Sequence, residues 1–198
     1  MKKDNKLKII ICILLILSIF IICYFFMVKN IKIGNNKNSQ EMVDDILNMK
    51  TYEAIIEVEV NSNKNQNKYV LKQKYNEEES YQEVLEPSNI KGVKITRAEG
   101  NLKLENSNLN LTSIFENYSY LSENNLDLSC FINDYKSNNN SKYREDDNQI
   151  VMETNGNNDY KTLYINKKTG KPEKLEIVDA NKKNTVYILY KEVDVNSK

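Results

Sequence analysis

The stretch KKTGKPEKLEIVDANKKNTVYILY, Lys167–Tyr190, decides how the chain folds. Leu175 and Ile177 alternate with Lys174 and Glu176, and Val186, Ile188 and Tyr190 resume the alternation after the polar turn DANKKN. A period of two places one apolar face and one wet face on a strand. Thr169-Gly170 supplies a turn whose glycine tolerates positive φ, and Pro172 stands at the mouth of the strand that follows. Two strands joined by a short turn are antiparallel.

The same grammar recurs upstream. In YEAIIEVEV, Tyr52, Ala54, Ile56, Val58 and Val60 face one way, and Glu53, Glu57 and Glu59 face the other. KYVLKQKY continues through Tyr69, Leu71 and Tyr75, SYQEVLEP ends on Pro87, and KGVKITRAEGNLKLEN reads as a hairpin turning at Glu99-Gly100. QIVMETNG and DYKTLYIN add two more strands. Helical spacing appears in three places. Met42, Val43, Ile46 and Leu47 follow Ser39 as N-cap, with Glu41 in the first turn and an end near Lys50. TSIFENYSYL brings Ile114, Phe115 and Tyr118 into register. DLSCFINDYK does the same with Leu128, Phe131, Ile132 and Tyr135, Asp127 lying in its first turn. SNNNSKYREDDN reads as a polar loop. A sheet with one apolar face must cover it, and helices at 39–50 and 126–137 are the candidates. The expected fold is α+β and mostly β: a curved antiparallel sheet, a half-open barrel, wrapped over a few helices.

Ahead of this domain lies IIICILLILSIFIICYFFMV, Ile9–Val28, without a charge. At ~1.5 Å per residue this length spans the ~30 Å hydrocarbon thickness of a bilayer. The run ends Phe26-Met27-Val28 rather than on small residues, so it reads as an uncleaved signal anchor. Neither Cys12 nor Cys23 is preceded by a small residue, which favours a spanning helix over a lipid anchor. Lys2, Lys3, Lys6 and Lys8 keep the N-terminus in the cytoplasm. The expected organisation is a basic cytoplasmic segment 1–8, a transmembrane anchor 9–28, a polar tether 29–38 and an extracytoplasmic domain 39–198, in a single-pass protein of the cell membrane.

Composition excludes several chemistries. Lys plus Arg and Asp plus Glu each number 28, so no net positive field attracts nucleic acid. With no histidine, neither a Ser-His or Cys-His nucleophile pair nor a His-ligated zinc can be built. Cys130 is the one cysteine beyond the apolar run, and reads as a small hydrophobe, with a redox or partner-bonding role as the lesser alternative. Glu53, Glu57 and Glu59 have the spacing of a wet sheet face rather than of a catalytic carboxylate pair. Glu77–Glu79 and Glu145–Asp147 lie in turns and lack the spaced oxygens and fixed glycine of a calcium loop. No catalytic, metal-binding or cofactor-binding residue is expected, and no enzymatic activity.

A short helix, a long meander, inserted helices and a closing meander resemble the LolA/LolB-like lipoprotein-carrier fold. The stretches EMVDDILNMKTYEAIIEVEVNSNKNQNKYVLKQKY, EVLEPSNIKGVKI, LSCFINDYK and LYINKKTGKPEKLEIVDANKKNTVYILY are similar to the clostridial GerS-type germination lipoproteins over residues 39–195. The resemblance implies a sheet half-barrel held outside the cytoplasmic membrane. It also implies a non-catalytic partner of a peptidoglycan amidase that modifies the spore cortex ahead of germination. The chain departs from those lipoproteins in lacking their lipidation motif. Two occupants of such a fold remain open: a wall enzyme bound as a partner, or a lipid or lipoprotein acyl chain held in the curled sheet. An apolar tunnel favours the second, and a filled core with an exposed apolar patch favours the first.

Overall fold

The computed structural model describes residues 37–62, 65–116, 126–156 and 158–196. The proposed anchor 9–28 and most of the tether lie outside these residues. Among the described residues no helix is long and apolar enough to cross a membrane.

Helix α1, Ser39–Leu47, opens the described part. Its cap is Asn38, one residue before the serine expected there. The Asn38 side chain accepts from the Glu41 N–H at 2.8 Å, and Glu41 returns to the Asn38 N–H at 3.1 Å, a reciprocal box that satisfies two orphan donors. Met42, Val43 and Ile46 form the buried stripe.

Six strands follow: β1 Thr51–Ser62, β2 Gln66–Tyr75, β3 Glu79–Glu86, β4 Val93–Ala98, β5 Asn101–Asn106 and β6 Leu111–Phe115. Helix α2, Leu128–Ser137, comes next. The chain closes with β7 Lys142–Glu145, β8 Gln149–Asn155, β9 Asp159–Asn166, β10 Pro172–Asp179 and β11 Asn184–Asn196. Eleven strands form one antiparallel sheet in the order β6-β5-β4-β3-β2-β1-β11-β10-β9-β8-β7. Each half of the chain is a meander, and the halves are joined at the middle by the long β1–β11 pair, Thr51 opposite Asn196 through to Ser62 opposite Asn184. Among the described residues β6 and β7 stand at the two ends of the sheet.

Side-chain alternation carries one inner face across the sheet. Tyr52, Ala54, Ile56 and Val58 of β1 are buried with Leu71 of β2, Ile188 and Tyr190 of β11, Leu175 of β10 and Leu163 and Ile165 of β9. The helices supply Met42, Val43, Ile46, Leu128, Phe131 and Ile132 to the same core. A register shift between Ile55 and Ile56 leaves Lys191 as an extra residue on β11 and lets Val193 and Val195 rejoin the inner face beyond Tyr190. β11 thus runs six residues past the point where the alternation read from the sequence stops.

Two expectations are overturned. TSIFENYSYL, read as helical, begins within strand β6, whose residues pair with β5 from Leu102 opposite Phe115 to Asn106 opposite Leu111; residues 117–121 of that reading lie outside the described ones. Ile114, Phe115 and Tyr118 satisfy helical spacing over a stretch too short to distinguish periods, and for the first two the neighbouring strand decides. The supposed loop SNNNSKYREDDN contains β7, paired with β8 from Lys142 opposite Glu153 to Glu145 opposite Ile150. The Glu99-Gly100 hairpin is as expected, both residues having positive φ of 51° and 76°, as a two-residue turn between twisted strands requires.

Candidate interaction surface

The inner face has a filled half and an open half. Beneath α1 and α2, Ile56, Ile150, Leu163, Leu175 and Ile188 are wholly inaccessible, so helix side chains occupy the space inside the curl. Among the described residues, the clefts by β1 and its neighbours are open to solvent and carry several charged side chains. One of about 440 Å³ lies by Glu53, Lys72, Lys74, Tyr75, Glu79 and Tyr81, and one of about 310 Å³ by Glu53, Lys72, Glu192 and Asp194. Neither is lined as an acyl-chain site requires.

Polar groups fix the boundary between the halves. Asp127, the N-cap residue of α2, is 5 % exposed and makes no cap bond with its side chain. Its carboxylate instead accepts from Ser80 Oγ at 2.7 Å, Gln82 Nε2 at 2.8 Å and Gln73 Nε2 at 3.3 Å. Tyr52 OH lies 3.5 Å from it and accepts from the Leu128 N–H at 3.3 Å, while Gln73 Nε2 also donates to the Leu126 carbonyl at 3.1 Å. A buried carboxylate is tolerated because donors surround it. Burial, reinforced by Asp127, pushes the Tyr52 and Tyr190 hydroxyls well above their ordinary range. Burial lowers the Arg97 guanidinium, an effect Asp127 opposes. Gln73 and Gln82 sit in phase with Leu71 and Val84, and that in-phase polarity was the signal in the sequence for a buried polar cluster.

A second buried charge ties α2 to β9. Lys161, 2 % exposed, donates to Asp134 Oδ2 at 2.5 Å and lies 3.9 Å from Asp159. Burial alone would lower its pKa; the Asp134 hydrogen bond and the nearby charges outweigh this and raise it. Cys130, expected as a buried hydrophobe, is only half-buried and places Sγ 3.6 Å from Lys161 Nζ.

Beyond Leu102, itself buried, the inner face becomes exposed. The row Tyr52, Tyr75, Ser80, Arg97, Leu102 and Phe115 runs out of the core onto β6, and the next row ends Gln82, Ile95, Leu104 and Ser113. Leu104, Leu111 and Phe115 of this face are exposed, as are Leu109 in the β5–β6 turn and Ile114 on the outer face. Five of the six large exposed hydrophobic residues among those described therefore lie on one hairpin. The opposite edge differs: β7 has four residues, and Lys142 and Arg144 reach Glu153 at 3.3 and 3.5 Å while Glu145 pairs with Lys167 at 2.9 Å.

The acidic residues weighed in the sequence are dispersed. Glu53 meets Lys74 at 2.6 Å and Glu57 meets Lys68 at 2.9 Å on the outer face, and the lysine partners hold both carboxyls below their usual range. Glu77 and Glu78 lie in a bend before β3, and Asp146 and Asp147 in the turn after β7. Among the described residues no three potential ligands gather to hold a metal ion.

Comparison with known proteins adds the following. A family model described as sporulation protein YdcC-like matches residues 7–198. No curated protein matches the chain. Solved structures similar to it include GerS in the complex of the CwlD amidase with the GerS lipoprotein from Clostridioides difficile, at 25 % identity and TM-score 0.43, covering 82 % of this chain and 95 % of that one. They also include a LolA superfamily protein from Nitrosomonas europaea, at 10 % identity and TM-score 0.42, covering 81 % and 94 %.

Proposed function

We propose that this chain, which belongs to the YdcC-like sporulation protein family, is a non-catalytic partner of a cell-wall enzyme, held at the outer face of the membrane by residues 9–28. One observation carries the reading. The inner face is filled by α1 and α2 where a carrier would need a cavity, and its exposed apolar side chains gather instead on the β5–β6 hairpin. A protein partner is the occupant that such an arrangement fits.

The class of partner, a peptidoglycan amidase, follows from the sequence similarity of residues 39–195 to GerS-type lipoproteins. The absence of histidine supports a non-catalytic role, since neither a Ser-His or Cys-His nucleophile pair nor a His-ligated zinc can be built.

The test is recovery of the full chain, in mild detergent, from sporulating cells. The expected result is a peptidoglycan amidase in near-equal amount, absent when the chain is recovered from growing cells. Stoichiometric lipid on the purified chain with no wall hydrolase would sink the proposal in favour of an acyl-chain carrier.

A further inference from the structure

Where α2 meets β9, a nucleophilic sulfur and a buried amine stand in contact. Cys130 lies in the first turn of α2, and Lys161 Nζ of β9 is 3.6 Å from its Sγ. The lysine is held in place: 2 % exposed, it donates to Asp134 Oδ2 at 2.5 Å and lies 3.9 Å from Asp159 Oδ1. Gly156, in the β8–β9 turn, packs so closely on both carboxylates that a side chain there would collide with Asp159 Oδ1. The thiol is less enclosed, being half-buried.

Two features of this setting favour the thiolate, the form that reacts with oxidants: an ammonium beside the sulfur and the positive end of α2. A half-buried sulfur admits a small peroxide more readily than a bulky thiol. The sulfenic acid that peroxide produces is captured by a second thiol or by a nitrogen. No second cysteine stands among the described residues, and Cys12 and Cys23 belong to the apolar run. The amine of Lys161 is already in contact.

We infer that Cys130 and Lys161 form an oxidation-dependent sulfenamide, a covalent Sγ–Nζ bond that ties α2 to β9 across 31 positions of the chain. The sulfur attacks one oxygen of hydrogen peroxide, the O–O bond breaks, and a sulfenic acid and water result. The ammonium passes a proton to Asp134, and the Nζ lone pair attacks Sγ. The S–N bond forms as the S–O bond breaks, and the departing hydroxide takes a proton from Nζ and leaves as water. In sum a thiol, an ammonium and one peroxide give a sulfenamide, two waters and a proton. Sulfur loses two electrons and the peroxide gains them.

The experiment exposes the full chain in detergent to one equivalent of hydrogen peroxide, with Cys12→Ser and Cys23→Ser so that Cys130 is its one thiol. Intact mass is expected to fall by two hydrogens. Digestion should yield a linked peptide pair joining Cys130 to Lys161, and dithiothreitol should separate it. Lys161→Arg keeps the charge and removes the amine, and Lys161→Met with Asp134→Ala removes both members of the ion pair. In each, mass should rise by one oxygen and dimedone should label Cys130. A parent chain that gains one oxygen and takes up dimedone as the variants do would overturn the bridge. A mass unchanged by peroxide would overturn the reactivity of the thiol. A linked pair carrying an extra oxygen would overturn the direct S–N bond. Disulfide-linked dimers through Cys130 would show that the sulfur meets a second chain instead of Lys161.

Discussion

The Tyr52 hydroxyl, carried on the first residues of β1, accepts the backbone N–H of Leu128 at 3.3 Å and so caps a helix 76 positions later in the chain. The side chain that would normally do this, that of Asp127, is turned away to collect Ser80, Gln82 and Gln73. Roles are exchanged: the strand caps the helix, and the helix cap residue pins three strand side chains. Docking of α2 and the register of β1–β3 are consequently one cooperative unit.

Asp127→Ala should therefore be among the most damaging single changes. It strands buried donors on Gln73, Gln82 and Ser80, at a cost of about 3 kcal/mol. Asp127→Asn keeps an acceptor and should cost roughly half as much. Urea unfolding of both variants measures this, and equal losses would show that the carboxylate's acceptors are not what matters.

Lys161 makes a different prediction. Removing Asp134 takes away the nearest counter-charge of a buried ammonium, so Asp134→Ala should cost about 2–3 kcal/mol. Lys161→Met combined with Asp134→Ala should recover most of that loss, because an apolar side chain of similar length needs no counter-charge. A double-mutant cycle reads the coupling directly.

Alkali should destabilise the fold. The hydroxyls of Tyr52 and Tyr190 are raised by burial, and Tyr81 is raised to about 12 by burial and its hydrogen bond to Glu83. Lys161 is raised as well. A group whose pKa rises on folding stabilises the fold fully below its unfolded value and ceases to do so as pH climbs through the folded one. The unfolded values are 10.0 for tyrosine and 10.5 for lysine, so stability should fall steadily once pH passes about 10. Tyrosinate absorbance should rise together with unfolding rather than ahead of it for these buried rings.

Asn38→Ala removes the reciprocal cap of α1 and should cost about 1 kcal/mol, whereas Ser39→Ala should cost little. Equal effects from the two would restore Ser39 as the cap. Gly100→Ala, at a φ of 76°, should destabilise the β4–β5 hairpin by about 1 kcal/mol and loosen exchange in β5 and β6.

The long central strands could be read because they keep strict phase for many residues: Tyr52 to Val60, Leu175 to Ile177, Val186 to Tyr190. β6 could not, because five residues are fewer than the spacing needed to separate a helix from a strand, and its structure comes from β5. β7 was hidden by its charges, which mark an edge and not a loop. The cap moved by one residue because Asn38 and Ser39 are equally good caps locally, and only the distance to Glu41 separates them. The exposed apolar hairpin was invisible in the sequence: exposure of Leu104, Leu111 and Phe115 depends on how far the packed core extends across the sheet, and no local pattern records that. Gln73, Gln82 and Lys161 were legible in principle as polar residues in apolar phase.

Unlike ends also limit growth. A sheet that can pair at both margins can stack units without limit and ends as a fibre, whereas the four-residue, charged β7 bars one margin to such stacking. Polymer growth through that end is stopped by shortness and charge alone, without a covering element.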